Sequence, residues 1–252
     1  MDLTLWGVQI WAVTLVFART GAMIMLLPGF GEAMVPARAR LALAIALAAV
    51  IAPNLAQSLP QPPQTAWGIS GMVMAETMVG LLFGGAARVL ASALATAGQI
   101  LALDIGLAFA QMTDPTANQS GQVVGVFMGL MGIVLIFATG LDHMFLQGVA
   151  GTYQLVAPGA PPPVGDAAQL ALSAVSTSFR VGFQIAAPVA VAGLIFRVGI
   201  GALSRLIPQI QVFFVVMPLQ VMGGFVMLAL ALSTGMLVWL DSLQQYASWT
   251  QG

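Results

Sequence analysis

Residues 66 to 112 read AWGISGMVMAETMVGLLFGGAARVLASALATAGQILALDIGLAFAQM, an apolar run broken by only three charges, Glu76, Arg88 and Asp104. Nothing in it alternates with period two, so it reads as helix. A straight helix of this length would stretch about 70 Å, more than twice the roughly 30 Å of a bilayer core. It must turn back, bend sharply or project beyond the bilayer, and Gly84-Gly85 is the expected bend.

The neighbouring runs, at roughly 3 to 27, 41 to 52, 123 to 141, 167 to 207 and 209 to 240, are equally oily, and those at 41 to 52, 167 to 207 and 209 to 240 are ill-fitted to a span of about 20 residues. LALAIALAAVIA covers only about 18 Å. Pro188 and Pro218 fall inside the last two runs, where each removes a backbone donor and kinks or splits its helix. Two Pro-rich connectors, 53 to 65 and 157 to 166, contain no basic residue. Arg38 and Arg40 in PARAR are the best positive-inside marker. No repeat or separate soluble domain is visible, so residues 1–252 read as one helical domain.

Composition narrows the class further. The chain is 60% hydrophobic and 6% charged, against about a quarter charged in soluble domains, so it is a membrane protein. The N-terminus has no basic residue before Arg19 and does not resemble a secretory signal peptide. Cysteine and lysine are absent, which removes disulfides, thiolate metal sites and Schiff-base or P-loop lysines. A net charge of −1 argues against nucleic acid as a partner. His143, beside Asp142, has no ligand cluster to complete a metal site and reads as a helix-end or packing residue. No nucleotide, hydrolase or zinc-protease motif occurs, so neither an enzyme nor a cofactor is expected.

Charges within the apolar runs are the informative residues. Glu76, Arg88, Asp104, Arg180, Arg197 and Arg205 each cost about 2.5–3.5 kcal/mol if they face lipid at a helix centre. Between Asp166 and Asp241 lie three arginines and no carboxylate. Their neutralising partners are Glu76 and Asp104 of this chain, lipid headgroups, or acids on other subunits; snorkelling suits Arg205 and Arg197 better than Arg180. Gly121, Gly125 and Gly129 recur four apart on one helix face, where a second backbone of this chain or of another subunit can approach. Two function classes fit: an ion-coupled secondary transporter using Glu76, Asp104 and Arg88, or a channel or assembly component.

Three ordered blocks decide between them. They are FARTGAMIMLLPGFGEAMVPARARLALAIALAAVIAP (17 to 53), AGQILALDIGLAFAQMTDP (97 to 115) and AAPVAVAGLIFRVGIGALSRLIPQIQVFFVVMPLQ (186 to 220). Together they resemble the FliR family of flagellar and type III secretion export-gate proteins. GLDHMF (140 to 145) departs from the pattern, with Asp142 where a less acidic residue is expected. The resemblance implies an all-α, membrane-protein-like fold of kinked helical hairpins packed into a heteromeric helical pore. It implies FliP-type and FliQ-type partners beside other export-apparatus components, unfolded proteins as cargo in transit, and a place in the bacterial inner membrane at the base of the flagellum. It also implies that residues about 106–119 form a lumenal plug. There Phe109 and Met112 supply apolar bulk, Gln111, Asp114 and Asn118 keep the loop wettable, and Pro115 disfavours helix at Asp114.

Overall fold

The computed structural model describes residues 3–56, 58–106, 123–206 and 212–251. Eight helices run in order through them: α1 (Leu3–Leu26), α2 (Ala37–Leu55), α3 (Ala66–Ala91), α4 (Ala93–Ile105), α5 (Val123–Ala138), α6 (Leu141–Leu155), α7 (Val164–Leu206) and α8 (Val212–Trp249). The all-helical fold expected from the hydropathy pattern is the observed one among the described residues. Among the described residues five helical stretches are long and apolar enough to cross a membrane, Gln9–Leu26, Ala37–Leu55, Ala66–Ile105, Val164–Arg205 and Val216–Trp249, and α5 with α6, bent by 75° between them, would make a sixth if counted as one span.

Local boundaries differ from the sequence expectation in three places. The helix through residues 66 to 105 breaks at Ser92, and Gly84-Gly85 lies inside α3. Gly84 serves packing: a Cβ there would come within 2.8 Å of the Met23 carbonyl oxygen on α1. α2 is longer than its apolar run, because Ala37 to Arg40 and Pro53 to Leu55 join it and bring it to 19 residues, about a full span. Pro188 and Pro218 lie inside α7 and α8, and neither splits its helix.

The residues cluster into two units. The first comprises Met1–Leu90, Ile136–Val175 and Leu243–Gly252, and the second Ala91–Leu135 and Ser176–Ser242. In the first, α1 buries Leu15, Val16, Met23 and Ile24, and α3 buries Val79, Phe83 and Ala87. The two helices meet almost backbone to backbone at Gly80, where an added Cβ would collide with the Arg19 carbonyl oxygen. Glycine is required there because helices in lipid associate by close packing. α6 meets the chain's end likewise, with Gly148 and Gly151 against Thr250. Tyr246 donates its hydroxyl to the Phe83 carbonyl at 2.7 Å.

In the second unit α4 packs on α5, α7 and α8. Gly98 of α4 touches the Gly125 backbone, Gly182 of α7 lies against Ala93 and Thr96, and Gly224 of α8 lies against Ile105. Gly235 lies against Ile185, whereas Val189 to Phe196 share a cavity wall with Leu219 to Gly224. These pairings run α7 and α8 antiparallel.

Candidate functional site

Among the described residues, one ion pair in each unit joins two apolar helices: Arg19–Glu76 in the first and Asp104–Arg197 in the second. In the first, Arg19 of α1 and Glu76 of α3 are both fully buried. Arg19 Nε donates to Glu76 Oε2 at 2.6 Å and its terminal nitrogen to Oε1 at 3.2 Å, a two-pronged geometry. The other terminal nitrogen donates to the carbonyls of Thr152 (3.1 Å) and Val156 (3.0 Å), where α6 ends. Tyr153 places its ring 4.0 Å from the guanidinium carbon. Glu76 Oε1 also accepts the Gly159 backbone N–H at 2.5 Å. A charge pair out of water persists only when its remaining donors and acceptors are satisfied, and this one ties α1, α3, the end of α6 and the 156–163 connector together.

The second pair lies at the end of α4. Arg197 of α7 donates to Asp104 Oδ1 at 2.6 Å, with the arginine side chain 49% exposed and the aspartate 13%. Gln220 of α8 donates its amide to the Asp104 carbonyl at 3.0 Å. Two residues on, Gly106 ends the helix in the left-handed region at φ +92°, which favours glycine. Asp104, Gly193, Phe196, Leu219, Gln220 and Met227 are among the residues lining a cavity of about 150 Å³. Large enough for several waters, this cavity presents one carboxylate against mostly apolar walls.

The remaining sequence-selected residues are distributed as follows. Arg88 pairs with Glu32 at 2.5 Å near the surface. Arg180 and Arg205 are exposed on α7 and have no ion-pair partner among the described residues. Of the six selected charges, only Glu76 is fully buried. Gly125 packs within the chain, whereas a Cβ at Gly129 would meet nothing within 4 Å. His143 starts α6, its side chain 78% exposed and 3.0 Å from Asp142. Phe109, Gln111, Met112, Asp114, Pro115, Asn118 and Gly121 lie outside the described residues.

Sequence reasoning offered Asp104 as a partner for Arg197 but missed Arg19 and Glu32 as partners. Arg19 stood only as a motif residue and Glu32 not at all, although an acid at 76 in an apolar run demands a base. Nothing in the sequence marks Gln220 as the residue that holds the α4 carbonyl.

Long apolar helices with internally paired charges define an all-helical integral membrane protein. Residues 10–246 match the model of a family described as bacterial export proteins, family 1. Flagellar biosynthetic protein FliR of Caulobacter vibrioides is 39% identical over 237 residues, covering 94% of each chain. Its namesake in Bacillus subtilis is 28% identical, over 88% of this chain and 86% of that one. The Escherichia coli protein of the same name is 27% identical, over 84% and 80%. The chain belongs to this FliR family of bacterial export proteins.

Proposed function

We propose that the chain is a non-enzymatic subunit of the flagellar type III protein export gate in the bacterial inner membrane. It acts as one domain and assembles with FliP-type and FliQ-type subunits, beside other export-apparatus components, into a pore for unfolded proteins in transit. Residues about 106–119 serve as its lumenal plug, with Phe109 and Met112 as the seal and Gln111, Asp114, Pro115 and Asn118 keeping the segment looped and wettable. The open face at Gly129, continuing the Gly121 and Gly125 row, receives a neighbouring subunit.

The observation that carries this reading is the family match across residues 10–246. Apolar surface supports it: α8 leaves large side chains such as Leu219, Met222, Val226 and Leu230 between 58% and 70% exposed. A transporter using Glu76 and Asp104 is the weaker reading, because both oxygens of Glu76 are held by Arg19 and Asp104 is held by Arg197. Glu76 has no oxygen free to take an ion without breaking its pair, and Asp104 is already neutralised by Arg197 through Oδ1.

Purification in mild detergent tests the assembly: the chain should emerge in a stable complex with two other small helical membrane proteins, and a fully active lone chain would refute it. Deleting residues 110 to 116 tests the plug. Assembly should survive while the membrane leaks ions, and unchanged conductance would remove that role.

A further inference from the structure

Charges on the α7–α8 hairpin are spaced along its length. Inside the apolar band the only cation, Arg197, is neutralised by Asp104 at 2.6 Å. Arg180 and Arg205, on either side of it, are exposed and lack an ion-pair partner among the described residues. These two arginines stand twenty-five positions apart on one continuous helix, which sets them about 37 Å apart and within about 20° of each other around the axis.

Between them the same face presents Ala187, Val191, Leu194, Ile195, Val198 and Ala202, every one exposed. The opposite face, with Val181, Ile185, Ala186 and Val189, is buried in the unit. The antiparallel α8 carries no charge from Val212 to Leu240, and Asp241 follows at the Arg180 end.

A bilayer has a hydrocarbon core of about 30 Å and measures about 40–45 Å with its headgroups. Backbone positions about 37 Å apart therefore fall just outside the core in both leaflets, and arginine side chains reach outward to phosphate. A protein partner could cover an apolar stripe of any length, but two cations at bilayer spacing on one face, with no ion-pair partner among the described residues, match phosphates in opposite leaflets.

We infer that the Arg180–Arg205 face of α7 is a lipid-facing belt, with each arginine bound to the phosphate of an anionic lipid in its own leaflet. The belt stands independently of the export-gate reading. It leaves the other faces of the hairpin for protein contact.

The chain has no cysteine, so an introduced one is a unique label site. Spin labels go on Gln184→Cys, Ala187→Cys, Val191→Cys, Ile195→Cys, Val198→Cys and Ala202→Cys, each in the full chain. The protein, with the membrane partners that co-purify, is reconstituted in phosphatidylethanolamine–phosphatidylglycerol vesicles. Collision with oxygen relative to a soluble nickel chelate should peak at Val191 and Ile195 and fall toward Gln184 and Ala202. Labels shielded from both reagents would mean that protein covers the stripe; labels reached mainly by nickel would mean that water does. Either result overturns the belt.

In the same vesicles, Arg180→Gln and Arg205→Gln should each lower the enrichment of spin-labelled phosphatidylglycerol around the protein about fivefold. Arg→Lys should keep most of it. Unchanged enrichment in the glutamine variants would remove the headgroup contact. Recovery of partner subunits is scored separately: a lone chain with the lipid profile sinks the gate and keeps the belt, while a full complex with shielded labels does the reverse.

Discussion

The two ion pairs treat the same problem differently. Arg19 and Glu76 are excluded from water, and backbone groups from three further places complete their hydrogen bonds. Asp104 and Arg197 instead leave the guanidinium half in the open and depend on each other for charge. The first arrangement makes a rigid knot whose loss is expensive; the second makes a contact that can be exchanged cheaply. Position follows from this, since the knot closes the interior of one unit whereas the looser pair stands beside Gly106, the last described residue before position 123.

That contrast predicts an order of effects. Arg19→Met or Glu76→Leu alone should lower stability by about 3–5 kcal/mol, because each strands an uncompensated buried charge. The double variant should recover most of the loss, as apolar replacements of a buried pair often do. Thermal unfolding in detergent checks this, and a double variant as weak as the sum of the singles would break the comparison. Gly80→Ala should follow at about 1–3 kcal/mol, because the new methyl forces α3 away from the Arg19 carbonyl. Gly129→Ala, with open space around its Cβ, should instead be neutral or stabilising by up to about 1 kcal/mol within this chain. Protection of the Gly129 variant in the isolated chain, joined to loss of partner recovery, would sharpen its assignment to a subunit contact.

Smaller effects belong to the looser pair and the surface. Gln220→Leu should cost about 0.5–1.5 kcal/mol by freeing the Asp104 carbonyl. Raised amide exchange at the end of α4 is the readout, and an unchanged pattern would show that Gln220 holds nothing. Glu32→Gln should matter least, below about 1 kcal/mol, because the Arg88 side chain is 45% exposed. Its effect should shrink further with added salt.

Helix class and approximate spans were legible because hydropathy reports burial or lipid exposure directly. Breaks were not: Gly84-Gly85 resembles a hinge in the sequence, yet Gly84 allows α1 to approach, and the actual break falls at Ser92. Partner choice was also hidden. Arg19 and Glu76 are 57 positions apart and the carbonyls they use another 76 or more beyond, so no local pattern connects them. Asp104 as the counter-charge of Arg197 was among the sequence's options because the C-terminal half has no carboxylate of its own between Asp166 and Asp241.

Thr250 seats against Gly148 and Gly151, and the Gln251 side chain donates to the Met144 carbonyl. The first unit thus draws on residues 1–90, 136–175 and 243–252. A ribosome making this chain must finish translating residues 243–252 before that unit can close. Until then, Gly148 and Gly151 lack the Thr250 and Gln251 contacts that fill the space over them.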